Sequence, residues 1–191
     1  MPIFLFTGLS GAGKTTLAAS VKQALALVPL SVHVIDGDAY RQTLCKDLGF
    51  SKQDRIENLK RLGDVAISIE PLYDVVIIAA ISPYEAARQM LVKQAEVQIV
   101  WIQCDLDVLT ARDTKGLYRK AMLPKNHPDK IENLTGVNDV YELPLHKHLT
   151  INTTNSSIEK STAIISNYIL NSLQQSVLKT LHSNLPTLHL Q

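Results

Sequence analysis

A short apolar run, Ile3-Phe4-Leu5-Phe6, runs through one threonine into Gly8-Leu9-Ser10-Gly11-Ala12-Gly13-Lys14-Thr15. The run predicts a fully buried strand, and the segment after it matches G-x-x-x-x-G-K-[ST]. This pairing narrows the fold sharply. The glycines let backbone N–H groups turn inward around phosphates, and a helix opening near Lys14 adds the positive end of its dipole. Lys14 can reach the β- and γ-phosphates of a nucleotide triphosphate, and the Thr15 hydroxyl can ligate Mg²⁺. Average composition produces such a pattern by chance in roughly 1% of chains this long. Gly8 to Thr15, with the adjoining Thr16, form the expected ATP-binding loop.

The rest of the chain alternates strand and helix signals. Leu17, Val21, Ala24, Leu25 and Val28 are spaced as one helix face over Lys14–Val28, stopped by Pro29. Val32–Ile35 reads as a second strand. Ser51, with Asp54 three residues on, opens a long helix whose buried stripe is Ile56, Leu59, Leu62, Ala66 and Ile69. Val75–Ala80 is the strongest strand, followed by a helix over Tyr84–Lys93, a strand over Val97–Ile102 and a short helix over Leu106–Arg112. The region 114–140 lacks periodicity and reads as a mobile lid over a site. Leu149–Ile151 is a fifth strand. Ser156-x-x-Glu159 opens a last helix reaching about Lys179, which leaves a tail, 180–191, without a clear role.

Strands spaced by helices imply parallel βαβ crossovers. The expected fold is therefore α/β: a five-stranded parallel sheet of the P-loop NTPase type, with helices on both faces and a lid, in one domain over 1–179. Ligands should gather beyond the carboxyl ends of the strands.

With 191 residues and 46% hydrophobic content, the chain can build one domain with a sizeable core. The net charge of +1 gives no support for a nucleic-acid or membrane binder. Small-molecule nucleotides are the expected partners, and a homodimer is compatible with the reading. Cys45 and Cys104 stand far apart in no metal-ligand spacing, and the N-terminal run is too short for a signal peptide, so a cytoplasmic location is expected. Trp101 reads as core. His127, His146 and His148 share no regular element and lack paired acids, so they read as surface or lid residues.

A phosphate loop alone does not separate a kinase from a GTPase, a motor or a transporter ATPase. There is no N-K-x-D guanine-reading pattern and no ABC-type signature. Asp36-Gly37-Asp38-Ala39-Tyr40-Arg41 follows the second strand instead. Two carboxylates around a glycine, beside an arginine, suit an acceptor site. One carboxylate can orient or deprotonate a hydroxyl or hold Mg²⁺ through water, and Arg41 can fork onto an anion. A solvated turn is the alternative.

Further motifs make a resemblance specific. Leu48-Gly49-Phe50-Ser51-x-x-Asp54-Arg55-x-Glu57-Asn58, Ile81-Ser82-Pro83-Tyr84 with Arg88 beyond, and Arg112-Asp113-x-Lys115-Gly116-Leu117-Tyr118-x-Lys120-Ala121 resemble segments of the adenylylsulfate kinase family. Thr135-Gly136, Tyr141-Glu142-x-Pro144 and Thr153 continue in the same order. The resemblance implies ATP-dependent phosphorylation of the 3′-hydroxyl of adenosine 5′-phosphosulfate with Mg²⁺. It implies that Lys14, Asp36 and Asp38 serve catalysis and that Thr15 and Asp36 hold the metal. Asp38, Arg41, Arg55 and Asn58 would hold the acceptor's phosphosulfate and ribose, and Phe50 would stack on its base. Ile81, Ser82 and Leu134 would line the same pocket, and Lys115 and Lys120 would sit on the lid. Ser82 has two readings, a phosphoserine intermediate or a pocket hydroxyl beside direct transfer, and the loop geometry favours the second. Arg112 packs on the ATP adenine or makes a salt bridge.

Departures cluster around the acceptor base and lid. Leu134 and Ala80 stand where the family usually has aromatic residues, the lid is about five residues longer, and Lys147 and His148 replace a proline and an acid. These leave open a paralogous kinase acting on another nucleotide such as cytidine diphosphoramidate, or a catalytically weak nucleotide-binding module.

Overall fold

A computed structural model describes residues 2–183. Five parallel strands form one sheet in the order β2-β3-β1-β4-β5. They are β1 (Ile3–Thr7), β2 (Val32–Asp36), β3 (Val75–Ala79), β4 (Val97–Gln103) and β5 (Leu149–Asn152). The central strand β1 sets Ile3 beside Val76 of β3 and Val97 of β4, and Thr7 beside Trp101. The chain builds the β2-β3 half first and then crosses to β4 and β5. The crevice beside the carboxyl end of β1 therefore lies where the strand order reverses.

Both faces of the sheet are covered, as expected for parallel strands. Phe4 and Phe6 point to one side, where α1 (Lys14–Leu25) and α7 (Ile158–Ser183) pack through Leu17, Val21, Ile165 and Ile169. Ile3 and Leu5 point to the other, against Leu59 and Leu62 of α3 (Lys52–Ile69) and Leu91 of α4 (Glu85–Gln94). The period-2 alternation of β1 thus feeds two cores. The expected α/β class, strand count and two-sided covering are all borne out.

Several boundaries differ from expectation. α1 ends at Leu25 rather than Val28, because Ala26–Pro29 winds into turns and leaves Val28 exposed. In α3 the buried face includes Arg55 and Asn58, while Ile56 and Ile69 are only partly buried. The Ser51–Asp54 capping box forms in both directions, with Asp54 N–H donating to Ser51 Oγ at 3.1 Å. α7 is opened by Ser157, not Ser156: Ser157 Oγ accepts from Lys160 N–H at 3.2 Å. The same helix runs to Ser183, past the expected Lys179, and 184–191 lie outside the described residues.

Trp101 is half-buried at the end of β4, not core, with Lys147 Nζ 5.2 Å from its ring centroid. Cys45 and Cys104 are buried and unpaired. His127 and His146 are exposed, and His148 Nδ1 accepts from Ile99 N–H at 3.0 Å. Among the described residues no helix is long and apolar enough to cross a membrane.

Candidate active site

The loop between β1 and α1 is shaped by its glycines. Gly13, just before α1, has φ +99°, a left-handed conformation that a side chain would strain. Gly8 lies so close to β4 that a Cβ there would stand 2.2 Å from the Ile102 carbonyl oxygen. Around this loop Ser10, Gly11, Gly13, Lys14, Thr15 and Thr16 line a pocket of about 180 Å³. Thr15 and Thr16 are exposed. Ala12 is core, and the Leu9 carbonyl accepts a 2.8 Å hydrogen bond from Lys14 Nζ. Lys14 is buried, and loss of solvent pushes its pKa down to about 8, the Asp38 and Asp36 charges opposing the shift. A buried cation with one neutral carbonyl as partner is set to accept an anionic ligand.

A second cavity, about 530 Å³, opens next to this pocket. Arg41, Phe50, Arg55 and Asn58 reach it from α3 and the turn before it, and Ile81 and Ser82 from the end of β3. Asp38, Lys115 and Leu134 complete the walls named by the sequence. Arg41 and Arg55 stand 4.7 and 5.4 Å from the centroid of the Phe50 ring, which remains 51% exposed. Arg41 donates to the Gly49 carbonyl at 2.8 Å, and burial pushes its pKa down, with Arg55 adding repulsion. Arg55 is buried and bonded to the Phe50 and Asn133 carbonyls and to Asp139, at 3.0, 2.6 and 2.9 Å.

Three buried polar atoms on this cavity's walls have no hydrogen-bond partner in the protein: Asn58 Nδ2, Ser82 Oγ and Thr135 Oγ1. Buried polar groups are normally paired. Three such orphans gather on the walls of this one cavity, the other three among the described residues lying on α7. One wall is shared: Ser10, Asp38, Ala80, Ile81 and Lys115 line both the cavity and the phosphate pocket. A molecule in the larger cavity therefore sits directly against the phosphate loop.

Other residues singled out in the sequence stand further off. Asp36 caps α2 (Gly37–Tyr40), its Oδ1 accepting from Asp38 N–H and Ala39 N–H at 2.8 and 3.3 Å. Arg112, at the end of α5 (Leu106–Arg112), donates to the Thr153 and Thr154 carbonyls at 3.0 and 3.3 Å. Lys120, on α6 (Leu117–Ala121), is exposed and outside both pockets. Sequence reasoning did not single out Thr135 or Asp139 for the site. Thr135 lies in the Thr135-Gly136 motif, a signal that could have found it. Asp139 is visible only once the chain folds back onto Arg55.

Residues 2–152 match the Adenylylsulphate kinase family. The chain belongs to this family. It is 45% identical over 156 residues to the adenylyl-sulfate kinase of Synechococcus sp. (strain JA-3-3Ab), covering 81% of this chain and 86% of that protein. It is 39% identical over 170 residues to that of Oceanobacillus iheyensis, covering 87% and 83%. Its backbone superposes with a TM-score of 0.80, at 32% identity, on the Mycobacterium tuberculosis APS kinase solved in complex with AMPPNP and APS, covering 89% and 97% of the two chains. A gluconokinase from Sinorhizobium meliloti, 16% identical with a TM-score of 0.58, shares the fold alone. The expected enzyme class, an ATP-dependent kinase, is borne out with the family.

Proposed function

We propose that this chain transfers the γ-phosphate of ATP to the 3′-hydroxyl of adenosine 5′-phosphosulfate, giving 3′-phosphoadenylylsulfate. The observation that carries the reading is the shared wall. An acceptor cavity with two guanidinium groups and an aromatic face opens onto the phosphate loop, so an acceptor hydroxyl held there can meet the γ-phosphate in line.

In this reading the loop from Gly8 to Thr16 cradles the ATP phosphates, Lys14 neutralises charge developing on them, and Arg112 flanks the adenine. Asp38 orients or deprotonates the acceptor hydroxyl. Arg41, Arg55 and Asn58 bind the phosphosulfate and ribose, Phe50 stacks on the base, and Ile81, Ser82 and Leu134 shape its slot. The segment 114–140 acts as the lid, with Lys115 closing over both substrates and Lys120 approaching as it closes. Residues 1–179 form one kinase domain. Ser82 Oγ has no base within hydrogen-bonding distance to activate it, which supports direct transfer rather than a phosphoserine intermediate.

The residues present fit Mg²⁺. Thr15 exposes its hydroxyl beside the phosphate pocket, and Asp36 commits only Oδ1 to its cap. That sparse donor set suits an ion that keeps waters and draws most of its ligands from phosphates. Bound there, Mg²⁺ supplies charge neutralisation on the β- and γ-phosphates. Two buried, unpaired thiols support the cytoplasm as the place of action.

The test is a coupled assay comparing adenylylsulfate, cytidine diphosphoramidate and shikimate as acceptors. A kcat/KM at least about tenfold higher for adenylylsulfate is expected. A preference of that size for the cytidine compound would replace this reading with a paralogous kinase, which the missing aromatic faces at Ala80 and Leu134 would then explain.

A further inference from the structure

By volume, Arg88 heads the fully buried side chains among the described residues. A guanidinium so placed is costly unless its N–H groups are matched. Arg88 has a partner at each of its three nitrogens. Its Nε and Nη2 hold Glu85 at 2.8 and 2.7 Å, Nη2 also donates to the Glu142 carbonyl at 2.6 Å, and Nη1 donates to the Ser82 carbonyl. Glu85 neutralises it, and it lines neither pocket, so it is not there to read a substrate anion.

What Arg88 holds is more informative. Three successive carbonyls leaving β3 are gripped from three elements, Thr7 Oγ1 lying 3.5 Å from the Ser82 oxygen as well as bonding that of Ile81. Thr7 of β1 donates to Ile81 O at 2.7 Å, Arg88 of α4 donates to Ser82 O, and Glu142 N–H donates to Pro83 O at 2.8 Å. Glu142 then returns its side chain to Glu85 N–H at 2.6 Å. Between these grips Ser82 sits at φ +47°, a region that serine seldom occupies without external constraint. A serine free to relax bonds its hydroxyl to nearby backbone. Here Ser82 Oγ is buried on the acceptor cavity's wall with no partner.

We propose that Arg88 is a positioning residue for the acceptor: by gripping the Ser82 carbonyl it fixes the backbone that sets Ser82 Oγ at the acceptor cavity's wall, where the hydroxyl bonds the substrate once the acceptor is seated. This rests on the acceptor-cavity reading above. Ser82 lines the acceptor cavity and not the phosphate pocket, so loss of the Arg88 grip should spare ATP.

The experiment is steady-state kinetics with each substrate varied, for wild type, Arg88→Lys, Ser82→Ala and the double variant. Arg88→Lys is expected to lower kcat/KM for adenylylsulfate by about tenfold or more while KM for ATP stays within about twofold. In the Ser82→Ala background the same change should cost no more than about twofold, because its route of action is already gone. Glu85→Gln, which keeps side-chain shape and loosens the fork, should repeat the pattern with about threefold to tenfold loss, and it carries the test if Arg88→Lys does not fold. A full loss persisting in the Ser82→Ala background, or KM for both substrates rising together, overturns the proposal and leaves Arg88 a structural residue. A wild-type enzyme inactive on adenylylsulfate but active on another acceptor overturns the functional reading itself, and the proposal with it.

Discussion

Lys115 and Asp38 form an ion pair that joins the segment after α5 to α2, where both line the phosphate pocket and the acceptor cavity. Their side chains are 53% and 64% exposed, so the pair adds little to stability, about 0–1 kcal/mol. Its value lies in where it places the carboxylate. Asp38→Asn should lower kcat by about 10²–10⁴, as expected for loss of a hydroxyl-orienting base. The unfolding midpoint should move by less than about 3 °C. Turnover of the variant and its thermal melt check both; turnover near wild type would remove Asp38 from the chemistry.

Lys14 separates activity from stability in the opposite way. Its pKa in the folded protein is about 8, against 10.5 for the free side chain. The charged form is thus disfavoured by folding: the cost is complete below pH 8, shrinks as pH rises from 8 to 10.5, and is gone above that. Lys14→Met should lower kcat by at least about 10²–10³. Without ligand at pH 7 it should melt about 5 °C higher than wild type, and the gap should close as pH approaches 10.5. Melts of both proteins across that range test the sign.

Gly8→Ala is a steric prediction. The added Cβ meets the Ile102 backbone oxygen at 2.2 Å, and neither strand can yield without breaking its pairing with the other. A loss of about 3 kcal/mol or more is expected, read as a lower urea midpoint or as insoluble expression. A variant that folds with wild-type stability would mean that this turn is looser than described.

Leu134 is buried on the acceptor cavity's wall. Leu134→Phe should tighten adenylylsulfate binding by up to about tenfold, because a ring adds stacking worth about 0.5–1.5 kcal/mol to the area that leucine already covers. Lower KM for adenylylsulfate, with KM for ATP unchanged, is the expected result.

Direct transfer predicts that Ser82→Ala keeps measurable activity and that wild type incubated with labelled ATP carries no acid-stable phosphoserine. Label on Ser82 that chases into product would establish the covalent route.

The central strands were legible because Ile3–Phe6 and Val75–Ala80 are unbroken apolar runs, a pattern that only burial on both faces produces. Phe50, Arg55 and Asn58 were legible as a group because one motif fixes their spacing across a turn and a helix, and Arg41 because it closes the acidic segment after β2. Local ambiguity defeated the finer readings. Adjacent serines at 156 and 157 both suit a cap, and the hydrogen bond to Lys160 selects the second. Pro29 marked where α1 could not continue, but the chain left the helix a turn earlier. Glu142 comes to Arg88 and Glu85 from 54 and 57 positions away, and Arg55 meets Asp139 84 positions away along the chain. No periodicity or short motif encodes such contacts.

Trp101 is the chain's one tryptophan, and Lys147 lies over its ring. Lys147 follows closely on Tyr141 and Glu142, which touch Thr7, Pro83 and Glu85 around the acceptor cavity. An indole's emission responds to a cation at its face, and here the signal has a single source. The protein therefore carries its own optical reporter: movement of this segment as an acceptor enters would register in ordinary fluorescence, with no label attached.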